Sequence, residues 1–327
     1  MSAVRTGRCL ALMSAGVLLC ALAAAGPTAA AEPAGPRAAA GQVTDPVPRP
    51  LPLPAPLRTP GSMPAPGSMP APGSMPAPGS MPAPVFAPGA VYKQALDTLG
   101  PRPLTPGQRR LTARKEAAAS SWFRRAETRT KRAGYVVSGG LHQSQRTSYW
   151  CGPAALVITQ SAHDEVGGRS QQSAADLLET DSSGTAWYGV GIDVPDPTGY
   201  PVVDALNYRL PGANYVPRSL PYSPTSDDVA DFREHITHDT DNDYAIAGNA
   251  WEVPGGPHLV GHPNIEIFHW VAIDGYNSDT DAGQVRYLDP VGGVSTSVIS
   301  WAGGVPKSAR ISSHTITTIM GGRGYVW

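Results

Sequence analysis

Cysteine is scarce in this chain: its 327 residues include three. Two of them, Cys9 and Cys20, sit in an apolar N-terminal stretch, so the remainder holds only Cys151. One cysteine cannot close an intramolecular disulfide, which excludes a disulfide-stapled scaffold. The formal net charge is −1, and charged residues make up 16% of the chain. That balance, with no glycine-rich phosphate loop, gives no footing for a nucleic-acid or nucleotide partner. Beyond the first 31 residues no run is apolar enough to span a membrane.

Proline and glycine are plentiful, at 35 and 36 residues. Arg5 and Arg8 precede an apolar stretch over 9–25, and Ala29-Ala30-Ala31 follows. A positive start, a short apolar core and a small-residue exit read as a secretory signal over 1–31, so export is expected. Cys20 lies inside the apolar core after Leu18-Leu19, which argues against lipid attachment there. Residues 32–100 read as a disordered Pro/Gly/Ala-rich linker. In it Gly-Ser-Met-Pro-Ala-Pro occurs four times, at 61–66, 67–72, 73–78 and 79–84. Repeated proline blocks helix and ladder hydrogen bonds and leaves extended spacer chain.

Residues 101–133 are basic, with ten Lys and Arg against only Glu116 and Glu127. Thr105-Pro106 opens a predicted amphipathic helix, with Leu111, Ala118, Ala119, Trp122, Phe123 and Ala126 at helical spacing. Such a helix could touch a polyanionic cell-wall polymer or a membrane surface. It could instead pack on its own domain, as a first helix or a removable pro-segment. Residues 134–327 carry nine Lys and Arg against twenty-one Asp and Glu, a balance of −12. Packing is the favoured reading, because Trp122 and Phe123 need burial.

Residues 134–327 form a single domain long enough for a real core. A short strand is expected at 135–137. Helices are expected from Cys151, from Ser170, over 202–208 and from Thr225. Strands then follow at 244–252, 265–276, 284–288, 296–301 and 311–319. Helices first and an antiparallel sheet later indicate an α+β fold.

Cys151 stands before Gly152-Pro153 and the apolar run Ala-Ala-Leu-Val-Ile, at the mouth of a predicted helix. The partial positive charge of a helix N-terminus favours thiolate, the nucleophilic form. A small buried residue is the ordinary fate of a free cysteine. An unpaired thiol outside the cell, however, risks oxidation unless it has a task. Gln145, six residues upstream, could offer its amide to an oxyanion. His269 opens an apolar strand, and Asp289-Pro290 closes the next. If the two strands form a hairpin about Thr280, residue 289 faces 271. Asp289 then shares a face with His269, while Asp274 points the other way. Thiol, imidazole and carboxylate are what acyl transfer requires.

Trp150, Gly152, His258, His262 and Trp270 flank these residues and are candidate substrate contacts. For His258 and His262, in a proline- and glycine-rich loop over 253–263, plain loop residues are the preferred reading. With His269 they could offer three imidazoles to zinc, but no helix presents them, so no metal site is assigned. The acidic turns at 239–243 and 279–283 lack the trailing glutamate of a calcium loop. No cofactor is required.

The block from Gln145 to Pro153, then His269 before an apolar strand, then Asp289-Pro290 resemble the papain-like cysteine peptidases of the bacteriocin-processing (double-glycine peptidase) type. The likeness is nearest to their exported, stand-alone actinobacterial relatives and covers about residues 135–327. It implies a papain-like fold with Cys151 as nucleophile, His269 as base, Asp289 as its orienting partner and Gln145 as oxyanion donor. A monomer acting on peptide or protein substrates is expected. Leader-processing members sit on the cytosolic end of a transporter, whereas this chain carries an export signal, so leader cleavage is not expected. A peptidoglycan-acting amidase and a non-catalytic wall-binding module are the alternatives.

Overall fold

The computed structural model describes Lys93 and residues 104–127, 134–164 and 170–327. The expected signal over 1–31 lies outside them, as does the expected spacer apart from Lys93. Lys93 is no spacer residue: it is buried, and its ammonium donates to the carbonyls of Thr318, Ile319 and Gly321 at 3.2, 3.1 and 2.8 Å.

In chain order the elements are α1 (Pro106–Glu127), β1 (Tyr135–Val137), α2 (Cys151–Ser161), α3 (Gln171–Leu177) and α4 (Pro201–Arg209). There follow β2 (Pro217–Ser219), α5 (Ser226–Asp241), β3 (Ile246–Glu252), β4 (Ile267–Asn277) and β5 (Gln284–Leu288). The chain closes with β6 (Ser308–Ser312), α6 (Ser313–Met320) and β7 (Gly324–Val326). The fold is α+β. Local chemistry fixes the helix starts. Ser170 accepts from the Ser173 N–H, and Thr225 and Asp228 form a reciprocal capping box at α5.

Among the described strands every pairing is antiparallel, in the order β2-β7-β3-β4-β5-β6, with β1 against the far end of β4. Alternation along β4 divides the core. Val271 and Ile273 pack with Phe232 and Ile236 of α5 and with Ile316 and Met320 of α6. Trp270 and Ala272 face the other way, against residues of α2. Every residue of α2 is buried, so it is held by its whole circumference rather than by one stripe. Full burial of Leu156 and Ile158 contributes roughly 1.5–3 kcal/mol each.

α1 packs on α5. Lys115 pairs with Asp239 at 3.4 Å, Trp122 Nε1 donates to Asp241 at 2.9 Å, and Ser120 donates to Glu234. The basic helix therefore lies on the domain's own acidic helix, with Trp122 and Phe123 half-buried rather than enclosed.

One expected strand is absent and most of another is helix. Residues 296–301 form turns leading into the 3-10 turn Ala302–Gly304. Over 311–319, β6 ends at Ser312, whose side chain caps α6 through the Thr315 N–H at 2.9 Å. The alternation of Ile and Thr there imitates a strand. Ile316, Ile319 and Met320 instead form a helical stripe on the core, and packing overrides β-branched propensity.

Candidate active site

Cys151 is the first residue of α2 and is largely buried. Ala154 N–H bonds the Trp150 carbonyl, and Pro153 has no N–H. The first-turn amides of Cys151 and Gly152 have no partner within the helix, and Trp150 supplies no side-chain cap. The helix mouth thus leaves these two donors uncommitted within the helix. Gly152 is dictated by space: a Cβ there would lie 2.1 Å from Thr185 Oγ1.

The hairpin expected about Thr280 is formed by β4 and β5. Ala272 pairs with Leu288 and Ile273 with Tyr287, and that register carries 271 opposite 289. A bulge between Ile273 and Gly275 shifts only the end remote from His269. Asp289 therefore falls on the His269 face, and its Oδ1 is 2.9 Å from His269 Nε2. Cys151 is close enough to His269 to raise the imidazole pKa, and with Nε2 engaged by Asp289 it is Nδ1 that is left for the sulfur. Asp274 points the other way and pairs with Arg286.

Burial disfavours a charged His269. The Asp289 charge and hydrogen bond, together with the Cys151 contacts, outweigh that and raise its pKa to about 10. Burial likewise penalises the Asp289 carboxylate. The His269 charge and the bonds from His262 and His269 nonetheless hold it well below the usual carboxylate range. Imidazolium beside carboxylate is the state these contacts favour.

Gln145 lies in the same corner, its N–H donating to the Pro290 carbonyl at 2.8 Å. Its Nε2 donates to Thr147 O at 2.7 Å, while Oε1 is buried without a partner. One amide hydrogen remains for another acceptor. Beside Gly152 and Phe268 a cleft of about 320 Å³ opens, lined by Thr185, Trp187, Asn249, Phe268, Glu179 and Arg323 among others. Phe268 is half exposed. Trp270 was a candidate substrate contact, but it is buried in the core, with Nε1 donating to Thr185 O at 3.0 Å. It braces the cleft wall from behind. Trp150 is half-buried.

His258 and His262 are not the plain loop residues expected. His262 Nε2 is 3.0 Å from Asp289 Oδ2, and its Nδ1 is 2.7 Å from Glu252 Oε1. Glu252 Oε2 takes His258 Nδ1 at 2.8 Å and the Leu259 N–H at 3.2 Å. The His262 and Glu252 side chains have no solvent exposure. Glu252 was missed altogether. A glutamate ending an apolar strand, just before a loop with two histidines, was the one signal available.

No protein-family model matches this chain, nor does any curated protein or solved structure.

His262, His269 and Asp289 bring one ligand-type atom each within 4.8 Å of the others. Each imidazole nitrogen nevertheless aims at its own carboxylate oxygen at hydrogen-bond distance, not at a shared point. The cluster is an open chain of hydrogen bonds running from Glu252 through His262 and Asp289 to His269. Among the described residues no helix is long and apolar enough to cross a membrane.

Proposed function

We propose that this chain is an exported cysteine peptidase with a papain-like catalytic domain over 134–327. What supports the reading is the His269–Asp289 pair at 2.9 Å, with Cys151 near enough to raise the His269 pKa and its sulfur on the first residue of a buried helix. The thiolate's electron pair forms a C–S bond to the carbonyl carbon of a peptide bond, and the C=O π pair moves onto the carbonyl oxygen. The Gln145 amide and the α2 first-turn N–H groups are the donors assigned to that oxyanion. The C–N bond then breaks, and His269 gives its proton to the departing amine. Water attacks the resulting thioester and yields a proton to His269. The C–S bond breaks, releasing the acid and restoring the ion pair. Asp289 keeps the ring turned so that Nδ1 meets sulfur and substrate.

The test is hydrolysis of casein by the purified protein and by Cys151→Ala. The variant should lose at least about 10³-fold in rate. Undiminished activity in it would refute the assignment. A peptidoglycan-acting amidase is the second reading. Arg109, Arg110, Arg114, Arg124 and Arg125 of α1 are exposed and could meet a polyanionic wall. Release of soluble fragments from purified walls, without casein hydrolysis, would select it.

A further inference from the structure

Beyond the three residues of the proposed chemistry lies a second, buried layer. Asp289 Oδ1 accepts from His269 Nε2 and from the Val291 N–H, both at 2.9 Å, while Oδ2 faces His262. We propose that His262 and Glu252 are positioning residues of this site: the His262 ring, clamped between two carboxylates, fixes the plane of Asp289 and thereby the alignment of His269. The inference rests on the peptidase reading and deepens it.

Hydrogen-bond stoichiometry carries the argument. Ionised carboxylates only accept, so an imidazole placed between two of them donates from both nitrogens and is an imidazolium. The raised pKa of His262 agrees: burial lowers it, and the bonds to Asp289 and Glu252 more than compensate. The groups facing His262 come from every neighbouring segment. Glu252 ends β3, His269 lies on β4 with ring centroids 5.3 Å apart, Asp289 follows β5, and the Trp301 ring is 4.7 Å away. Behind Glu252 stands His258, held from its other side by Asn264 Oδ1 at 3.0 Å. The Tyr287 hydroxyl accepts from the Val260 N–H at 2.9 Å and pins the loop. Gly261 pins it again: its φ is +84°, and a Cβ there would lie 2.3 Å from Gly304 O. His262 is therefore delivered to Asp289 by a rigid loop and not by chance approach.

The experiment follows alkylation of Cys151 by iodoacetamide against pH in the full chain, read on the proteolytic peptide that carries Cys151. It uses the unaltered protein, His262→Gln and Glu252→Gln, with rates normalised to folded protein by circular dichroism. At about pH 6 the unaltered chain should be alkylated faster than a free thiol is under the same conditions. Without the His262 cation Asp289 accepts a proton more readily, so in His262→Gln the acid limb should move towards neutrality by about one pH unit. Glu252→Gln should move it less, in the same direction. A histidine serving only to fill space would lower the folded fraction and leave the limb where it was. Both variants superimposing on the parent would overturn the proposal alone. A parent that reacts like a free thiol would sink the peptidase reading and this inference with it. Should both variants fail to fold, nitrogen-15 spectra of the unaltered chain decide. Two ring N–H protons on His262 at neutral pH support the proposal, and one overturns it.

Discussion

Cys151 and Asp289 stand at the two ends of one chain of contacts, and they are held by opposite means. Around Cys151 the hold is steric. α2 is buried on all sides, its capping position offers no side-chain bond, and Gly152 lies against Thr185 with no room for a methyl group. Around Asp289 the hold is polar. Its N–H donates to Lys307 O, its carbonyl accepts from His142, and its carboxylate takes two imidazoles and the Val291 N–H. Volume should therefore govern one end and protonation the other.

Asp289→Asn gives the sharpest contrast, because one carboxylate oxygen becomes a donor facing an imidazole donor. Hydrolysis should fall by about 10²–10⁴, with a lower melting temperature, measurable by steady-state rates and calorimetry. Next comes alkaline pH. His269 titrates at about 10, and its proton is the one the leaving amine needs. Above that value the rate should drop about tenfold per unit, whereas a flat profile to pH 11 would break the polar half of the comparison. The stability effects have opposite signs. His269, raised on folding, adds stability that is fully present below about pH 6.5 and is lost as pH climbs through about 10. Asp289, lowered on folding, adds stability present above about pH 4 and lost as pH falls further.

The steric half is probed by Gly152→Ala, which should cost about 1–3 kcal/mol in urea denaturation. The loss should be the same at pH 6 and pH 8 and be partly restored by adding Thr185→Gly. The smallest effect belongs to neither end. Trp122→Phe removes one hydrogen bond to Asp241 and should cost about 0.5–1.5 kcal/mol while sparing hydrolysis.

The same contrast explains what the sequence made legible. Cys151 at a helix mouth could be read because apolar periodicity and Gly-Pro punctuation are local. The His269–Asp289 alignment could be read because side chains alternate along strands and the hairpin is short. Glu252 and His262 could not: a tract of proline and glycine reads as solvated loop, and only the closure of Gly261 on Gly304 and the Tyr287 bond turn it inward. The helix at 313–320 was hidden for a related reason. Its Ile and Thr spacing suits both periods, and the core decides between them.

The seat of α1 constrains how the protein could mature. Asp239 is almost fully enclosed, and its partners are the Lys115 ammonium and His238 Nδ1; the same ammonium sits 4.6 Å over the Trp327 ring. Excising the basic helix would strand that acid without its cation, at roughly 3–5 kcal/mol, and would wet an indole face. A cut that leaves the fold intact would therefore have to fall upstream of Lys93, sparing its three carbonyl contacts as well as the helix.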